Sequence, residues 1–197
     1  MLKIVLYLLA VLALGLCANP AQADERYVFD KKHTSISFSV SRLGVFHVRG
    51  DFKDYEGEFV FCIRHPDKDF VTITLYPAGL HTGDGEMDET LQGPDFFDAA
   101  QFPRVRFVSS TVKLLDKDNA TIAGQLTVLG VTKPFTLDVH FKGKEYEPES
   151  GDYVVSFTAS GIIRRSDFGM SYLTPIIGDE VHLRIQAQGI DRPHVTP

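Results

Sequence analysis

Residues 35–41 read SISFSVS: Ile36, Phe38 and Val40 alternate with Ser35, Ser37, Ser39 and Ser41. Successive side chains of a strand point to opposite faces, so this run predicts a strand with one face in a core and the other in water. The same period of two returns along the chain. Phe59, Phe61 and Ile63 follow, then Val71, Ile73 and Leu75 alternating with Thr72, Thr74 and Tyr76. Val105 and Phe107 come next, then Ile122, Leu126 and Val128, then Phe135, Leu137, Val139 and Phe141. Tyr153, Val155, Phe157 and Ala159 make another run, and Val181, Leu183, Ile185 and Ala187 a last one. Lys117-Asp118-Asn119, Gly130 to Pro134, Glu147 to Asp152 and Ile177-Gly178-Asp179 carry turn chemistry between them. The pattern predicts an all-β domain of about eight antiparallel strands, either a sandwich or an up-and-down barrel. No shift in composition and no internal repeat marks a second domain.

The longest break in the alternation is Ala78 to Pro103. A helical turn is expected around Glu86 to Leu91, and a second, proline-started turn after Gly93-Pro94, where a missing amide costs nothing. Phe96, Phe97, Ala100 and Phe102 are too apolar for a solvated loop, and Pro103 returns the chain to an extended path. A greasy insertion of this length in a strand protein is expected to act as a lid or plug.

The first 23 residues read as a cleavable leader: Lys3, an apolar run from Ile4 to Leu16, and Ala21-Gln22-Ala23 as the cleavage site. The run is shorter than the roughly 20 residues that span a bilayer. Leu16 before Cys17 disfavours a lipid anchor there. The mature chain, Asp24 to Pro197, is then an exported single domain, expected in the periplasm. It retains one cysteine, Cys62, expected to be buried and free because it continues an alternating run.

The net charge of −6 and the lack of any basic cluster argue against nucleic acid. Seven histidines are scattered without a ligand spacing, so no metal and no cofactor are expected. Asp84, Glu86, Asp88 and Glu89 do not follow a calcium-loop spacing and read as a solvated acidic turn. No nucleophile motif is present, and catalysis is not expected.

Four segments in order resemble the YceI-like family of bacterial polyisoprenoid-binding, lipocalin-like proteins. They are HTSISFSV (33–40), the Leu91–Phe107 stretch, GQLTVLGVTKPFTL (124–137) and RRSDFGM (164–170). The resemblance implies a barrel and an isoprenoid or similar long-chain lipid as its ligand. Phe38, Asp88, Phe96, Phe97, Phe102, Arg165, Asp167 and Phe168 are the expected ligand contacts. Arg165 has two readings: a grip on an anionic or carbonyl head group, or a structural pair with an aspartate that fixes the turn. Two positions depart from the family: Met87-Asp88 stands where members often carry Arg-Asp, and Arg42-Leu43-Gly44 where many have His-Leu-Gly. Two other functions compete. One is an enzyme acting on a quinone or lipid with His33, Asp88, Arg165 and Asp167 at the mouth. The other is a filled barrel serving as an envelope interaction module. Monomer and homodimer are both compatible with the sequence.

Overall fold

The computed structural model describes residues 26–62, 68–148 and 151–191; the leader, Cys17 and the stretch around Ile63 lie outside them. The strands are β1 (Arg26–Phe29), β2 (Ser35–Arg42), β3 (Phe46–Phe52), β4 (Tyr55–Val60), β5 (Phe70–Leu75) and β6 (Leu80–His81). After helix α1 (Gly85–Gln92) come β7 (Val105–Leu114), β8 (Asn119–Val128), β9 (Val131–Glu147), β10 (Asp152–Arg164) and β11 (Ile177–Asp191). All pairings are antiparallel, and β1 joins β11 to β4, so eight strands close into a barrel: β1, β4, β5, β7, β8, β9, β10 and β11.

The remaining strands extend the wall upward. β11 is long enough to pair with β1 at Gly189–Asp191 and with β2 from Ile177 to Gln186. β1 and β2 are therefore two halves of one stave, broken at Asp30–Thr34. Thr34 Oγ1 holds the break by donating to the Gln188 carbonyl at 3.2 Å and accepting the Gln188 amide at 3.0 Å. β3 and β4 form a second broken stave, bent at Lys53–Asp54. Below, β5 pairs with β7 over Thr72–Leu75 and Val105–Val108. Above that level the chain leaves β5, makes only the two pairs of β6 with β3, and returns at Val105. The wall is thus incomplete between β6 and β7, and residues 82–104 fill the gap.

Local chemistry sets that insertion. The Asp84 carboxylate accepts the Glu86 and Met87 amides at 3.0 and 3.3 Å, capping α1, while Glu86 and Asp88 add negative charge to its first turn. The acidic group is the solvent-exposed start of this helix, with Asp84, Glu86 and Glu89 exposed. Spacing of i, i+3 and i+4 brings Met87, Thr90 and Leu91 to one side, towards the barrel. The helix lies upstream of Gly93-Pro94. The Phe-rich segment is not helical but a succession of turns, closed by Phe97 and Asp98 amides donating to Leu91 and Gly93 carbonyls at 3.0 and 2.8 Å. Ile177-Gly178-Asp179 also differs from the sequence reading: it opens β11, with an irregular register to β2, and residues 170–176 make the connection.

Candidate ligand cavity

Inward positions of the staves enclose two cavities stacked along the barrel axis, an upper one of about 350 Å³ and a lower one of about 150 Å³. Consecutive inward residues divide between them. Ile36, Ile73, Phe107 and Ile185 line the lower cavity, and their neighbours Phe38, Leu75, Val105 and Leu183 the upper. On β8 and β10 the inward residue at the dividing level is a glycine, Gly124 between Ile122 and Leu126, and Gly161 between Ala159 and Ile163.

Two aromatic rings take that space. A Cβ on Gly124 would lie 2.7 Å from Phe107 Cζ, and one on Gly161 2.5 Å from Phe135 Cζ. Phe107 and Phe135 meet edge to face, 5.9 Å between centroids. The glycines leave room for both rings, which lie side by side over the β8–β10 wall at the level between the two cavities.

The upper cavity has few polar groups: Arg42 at the rim, Thr90 and Arg165. Its volume lies in the range of small-molecule pockets, apolar with a few polar handles. Four of the expected contacts, Phe38, Phe96, Phe97 and Phe168, line it, with Phe97 edge-on to Phe52 at 5.7 Å and Phe96 edge-on to Tyr172 at 5.7 Å.

Arg165 also lines the upper cavity, yet it is only 3 % exposed and its donors are largely used. Nε donates to the Gly178 carbonyl at 2.9 Å and Nη1 to the Met170 carbonyl at 2.9 Å. Nη2 donates to Thr174 Oγ1 at 2.8 Å and the Ile177 carbonyl at 2.9 Å. Four of five N–H groups are thereby spent on the 170–178 connection. Burial lowers its pKa from the ordinary arginine value, opposed by the charge of Asp179. The turn is fixed by an arginine, but through carbonyls rather than a paired aspartate. Asp179 instead accepts the Ser166 amide and hydroxyl at 2.9 and 2.8 Å.

Three expected contacts stand elsewhere. Asp88 points away from the cavity, accepting Thr82 N–H and Oγ1–H at 2.6 Å each and facing His81 Nδ1 at 3.0 Å. Those partners, the Thr82 hydroxyl foremost, hold its carboxyl below the usual 3.8. Phe102 lies over the β8–β9 turn, against Gly130. Asp167 is exposed on the outside of the 3₁₀ turn Arg165–Phe168. His33 faces Asp30 at 2.5 Å in the break between β1 and β2. The four residues of the competing enzyme reading therefore do not converge.

The lower cavity has no counterpart in the sequence reading. Phe59, Phe61, Phe141 and Phe157 cluster in its wall, with neighbouring centroids 5.1–5.7 Å apart. Cys62 borders it just beyond β4, free but half-buried rather than buried, its amide donating to Asp69 at 2.7 Å. Met170, Tyr172, Leu173 and Ile176 complete the upper wall. Apolar residues in the segment after RSDFG were the available signal for them.

The YceI-like domain description matches residues 27–189, nearly the whole described chain. The chain belongs to the YceI-like family. A UPF0312 protein of Pseudomonas savastanoi is 34 % identical, over 93 % of this chain and 97 % of that one. Among solved structures, the Campylobacter jejuni YceI protein superposes with a TM-score of 0.71 at 28 % identity, covering 78 % of this chain and 90 % of that one. A polyisoprenoid-binding domain from Saccharophagus degradans shares the fold, with a TM-score of 0.61 at 11 % identity and coverage of 84 % and 98 %. The barrel, rather than the sandwich, is thus the YceI-like architecture here. Among the described residues no helix is long and apolar enough to cross a membrane.

Proposed function

We propose that this YceI-like protein is a periplasmic binding protein that holds an isoprenoid or similar long-chain lipid, for carriage or sequestration and without catalysis. The observation that carries the reading is the upper cavity: about 350 Å³, walled by apolar side chains, with Arg42 at the rim and the Arg165 guanidinium already spent on carbonyls and Thr174. Burial of a tail contributes about 0.8 kcal/mol per CH₂, so a lipid needs few polar contacts to be held. The lipid's tail enters past Phe96 and Phe97, and its head stays near Arg42, whose guanidinium suits an anionic or carbonyl group. The polyisoprenoid-binding fold relative supports the ligand class, and the Ala21-Gln22-Ala23 site supports export.

Native mass spectrometry of the protein recovered from its own periplasm tests both parts. The expected result is a chain starting at Asp24 that carries one long-chain lipid. Absence of the protein from the periplasmic fraction would contradict export, a retained leader would contradict cleavage after Ala23, and a ligand-free chain, or one bound to a polar metabolite, would contradict the lipid assignment.

A further inference from the structure

The rim of the upper cavity carries a feature that holding a lipid does not require. Leu43, Val45 and Phe46, at the tip of the β2–β3 hairpin, are 61 %, 72 % and 65 % exposed, and Tyr172, Leu173 and Ile176 are 44–49 % exposed. The two groups form one surface, because the Leu43 amide donates to the Ile176 carbonyl at 2.8 Å. The apolar lip continues into the cavity, since Tyr172, Leu173 and Ile176 also line its wall.

Folding alone does not account for these side chains. Leu43 and Leu173 have φ of +55° and +54°, left-handed backbone that suits Gly or Asn and is costly for a branched, bulky residue. Leu129 shares that conformation with φ +50°, but packs against the core. Leu43 and Leu173 combine backbone strain with exposure, so neither local conformation nor packing favours leucine there. Contiguous exposed apolar surface marks a contact with a partner or a membrane. Charge selects between them: residues 42–50, RLGVFHVRG, carry Arg42, His47 and Arg49 and no acid, in a chain of net charge −6. Arg42, His47 and Arg49 are all exposed. Apolar tips flanked by two arginines match the interface of an anionic bilayer, where side chains enter the acyl boundary and arginines meet phosphates.

We infer that the Leu43–Phe46 tip and the Tyr172–Ile176 lip form a docking surface for an anionic lipid bilayer, setting the cavity mouth against the membrane. This rests on the lipid-carrier reading and adds where the lipid is taken up and released.

The test is sedimentation of the mature protein with vesicles of phosphatidylcholine, with and without an equal part of phosphatidylglycerol. Binding to the anionic vesicles is expected, and it should weaken with salt. The double variant Leu43→Asn, Phe46→Ser should bind about tenfold more weakly or worse, having lost two apolar side chains from the contact. Its melting temperature should not fall, because Asn suits the turn better. Arg49→Gln should bind about fivefold more weakly to anionic vesicles and unchanged to neutral ones. Retention of a preloaded long-chain lipid in vesicle-free buffer should be equal in all three proteins, since Leu43, Phe46 and Arg49 do not line the cavity. Absence of vesicle binding by the wild type, or equal binding by the folded double variant, would overturn the inference. So would a concentration-dependent dimer that the double variant abolishes, which would make the lip a contact between copies. Failure of the wild type to retain lipid in buffer would instead count against the carrier reading.

Discussion

Phe135 meets Phe107 edge to face over Gly124 of β8, their planes at 85° and their centroids 5.9 Å apart. In the proposed lipid-holding role this contact sets how much of a long tail fits, because Phe107 lines the lower cavity at the level where the upper one ends. A tail longer than the upper cavity must turn one of these rings aside or stay partly outside. Phe107→Leu is expected to raise retention of long-tailed lipids relative to short-tailed ones with the same head, by joining the cavities. The loss of aromatic volume should lower stability by about 1–3 kcal/mol. Retention across a tail-length series checks this, and an unchanged length preference in the folded variant would remove Phe107 as a barrier.

Gly161→Ala tests the same contact from the other side. The added methyl would fall 2.5 Å from Phe135 Cζ and 3.2 Å from the Thr136 carbonyl, so the ring must move. A loss of about 1–3 kcal/mol in denaturant unfolding is expected from overpacking. Pairing it with Phe135→Leu should recover part of that loss, which a double-mutant cycle would read.

Arg165→Ala should act on the fold before it acts on any ligand. Removing the guanidinium leaves three carbonyls and the Thr174 hydroxyl without their donor, so a loss of about 3 kcal/mol or more is expected in unfolding experiments. Lipid retention should then fall equally for ligands that share a tail and differ in head group. A loss confined to anionic or carbonyl heads would show that the remaining N–H of Arg165 reaches the ligand.

Asp88 ties α1 to Thr82 and His81, and its carboxyl titrates below the usual 3.8. A carboxylate lowered in the folded state contributes stability above its unfolded pKa and loses it as pH falls through its folded pKa. Asp88→Asn should therefore be less stable than the wild type near neutral pH, with the difference shrinking below about pH 4. Melting temperatures of both proteins from pH 7 down to the acid limit would show it. A constant difference over that range would mean that the carboxylate charge is not what holds the helix.

Much of the barrel was legible in the alternation of residues 35–41 and its later repeats. β3 was not, because its inward positions are Val48, Gly50 and Phe52, and the apolar cover of Gly50 is the Phe38 ring from β2. Gly124 and Gly161 blur the pattern in the same way: the missing side chain is supplied by a neighbouring strand. β1 has only four residues, too few for a period to register. Phe38 reaches the cavity as an inward position of β2, Phe96 and Phe97 from the insertion and Phe168 from the 3₁₀ turn after β10, whereas Phe102 covers a turn. The sequence leaves Asp88 and Arg165 open to a ligand role because their partners are a threonine backbone and hydroxyl in one case and mostly main-chain carbonyls in the other. Sequence composition does not display such partners. A filled core and a lined cavity also share one residue pattern, so the two compartments emerge only in three dimensions.

If the upper cavity holds the lipid tail, a side chain that fills that space must displace it. Ile163 faces the cavity from β10, so Ile163→Phe places a ring in open volume rather than in a packed core. The measurement is retention of a long-chain isoprenoid lipid by the wild type and by this variant, with folding verified by circular dichroism. The expected result is a variant that melts within a few degrees of the wild type and has lost most of its retention, whatever the head group. Undiminished retention by the folded variant would place the lipid elsewhere and contradict the account.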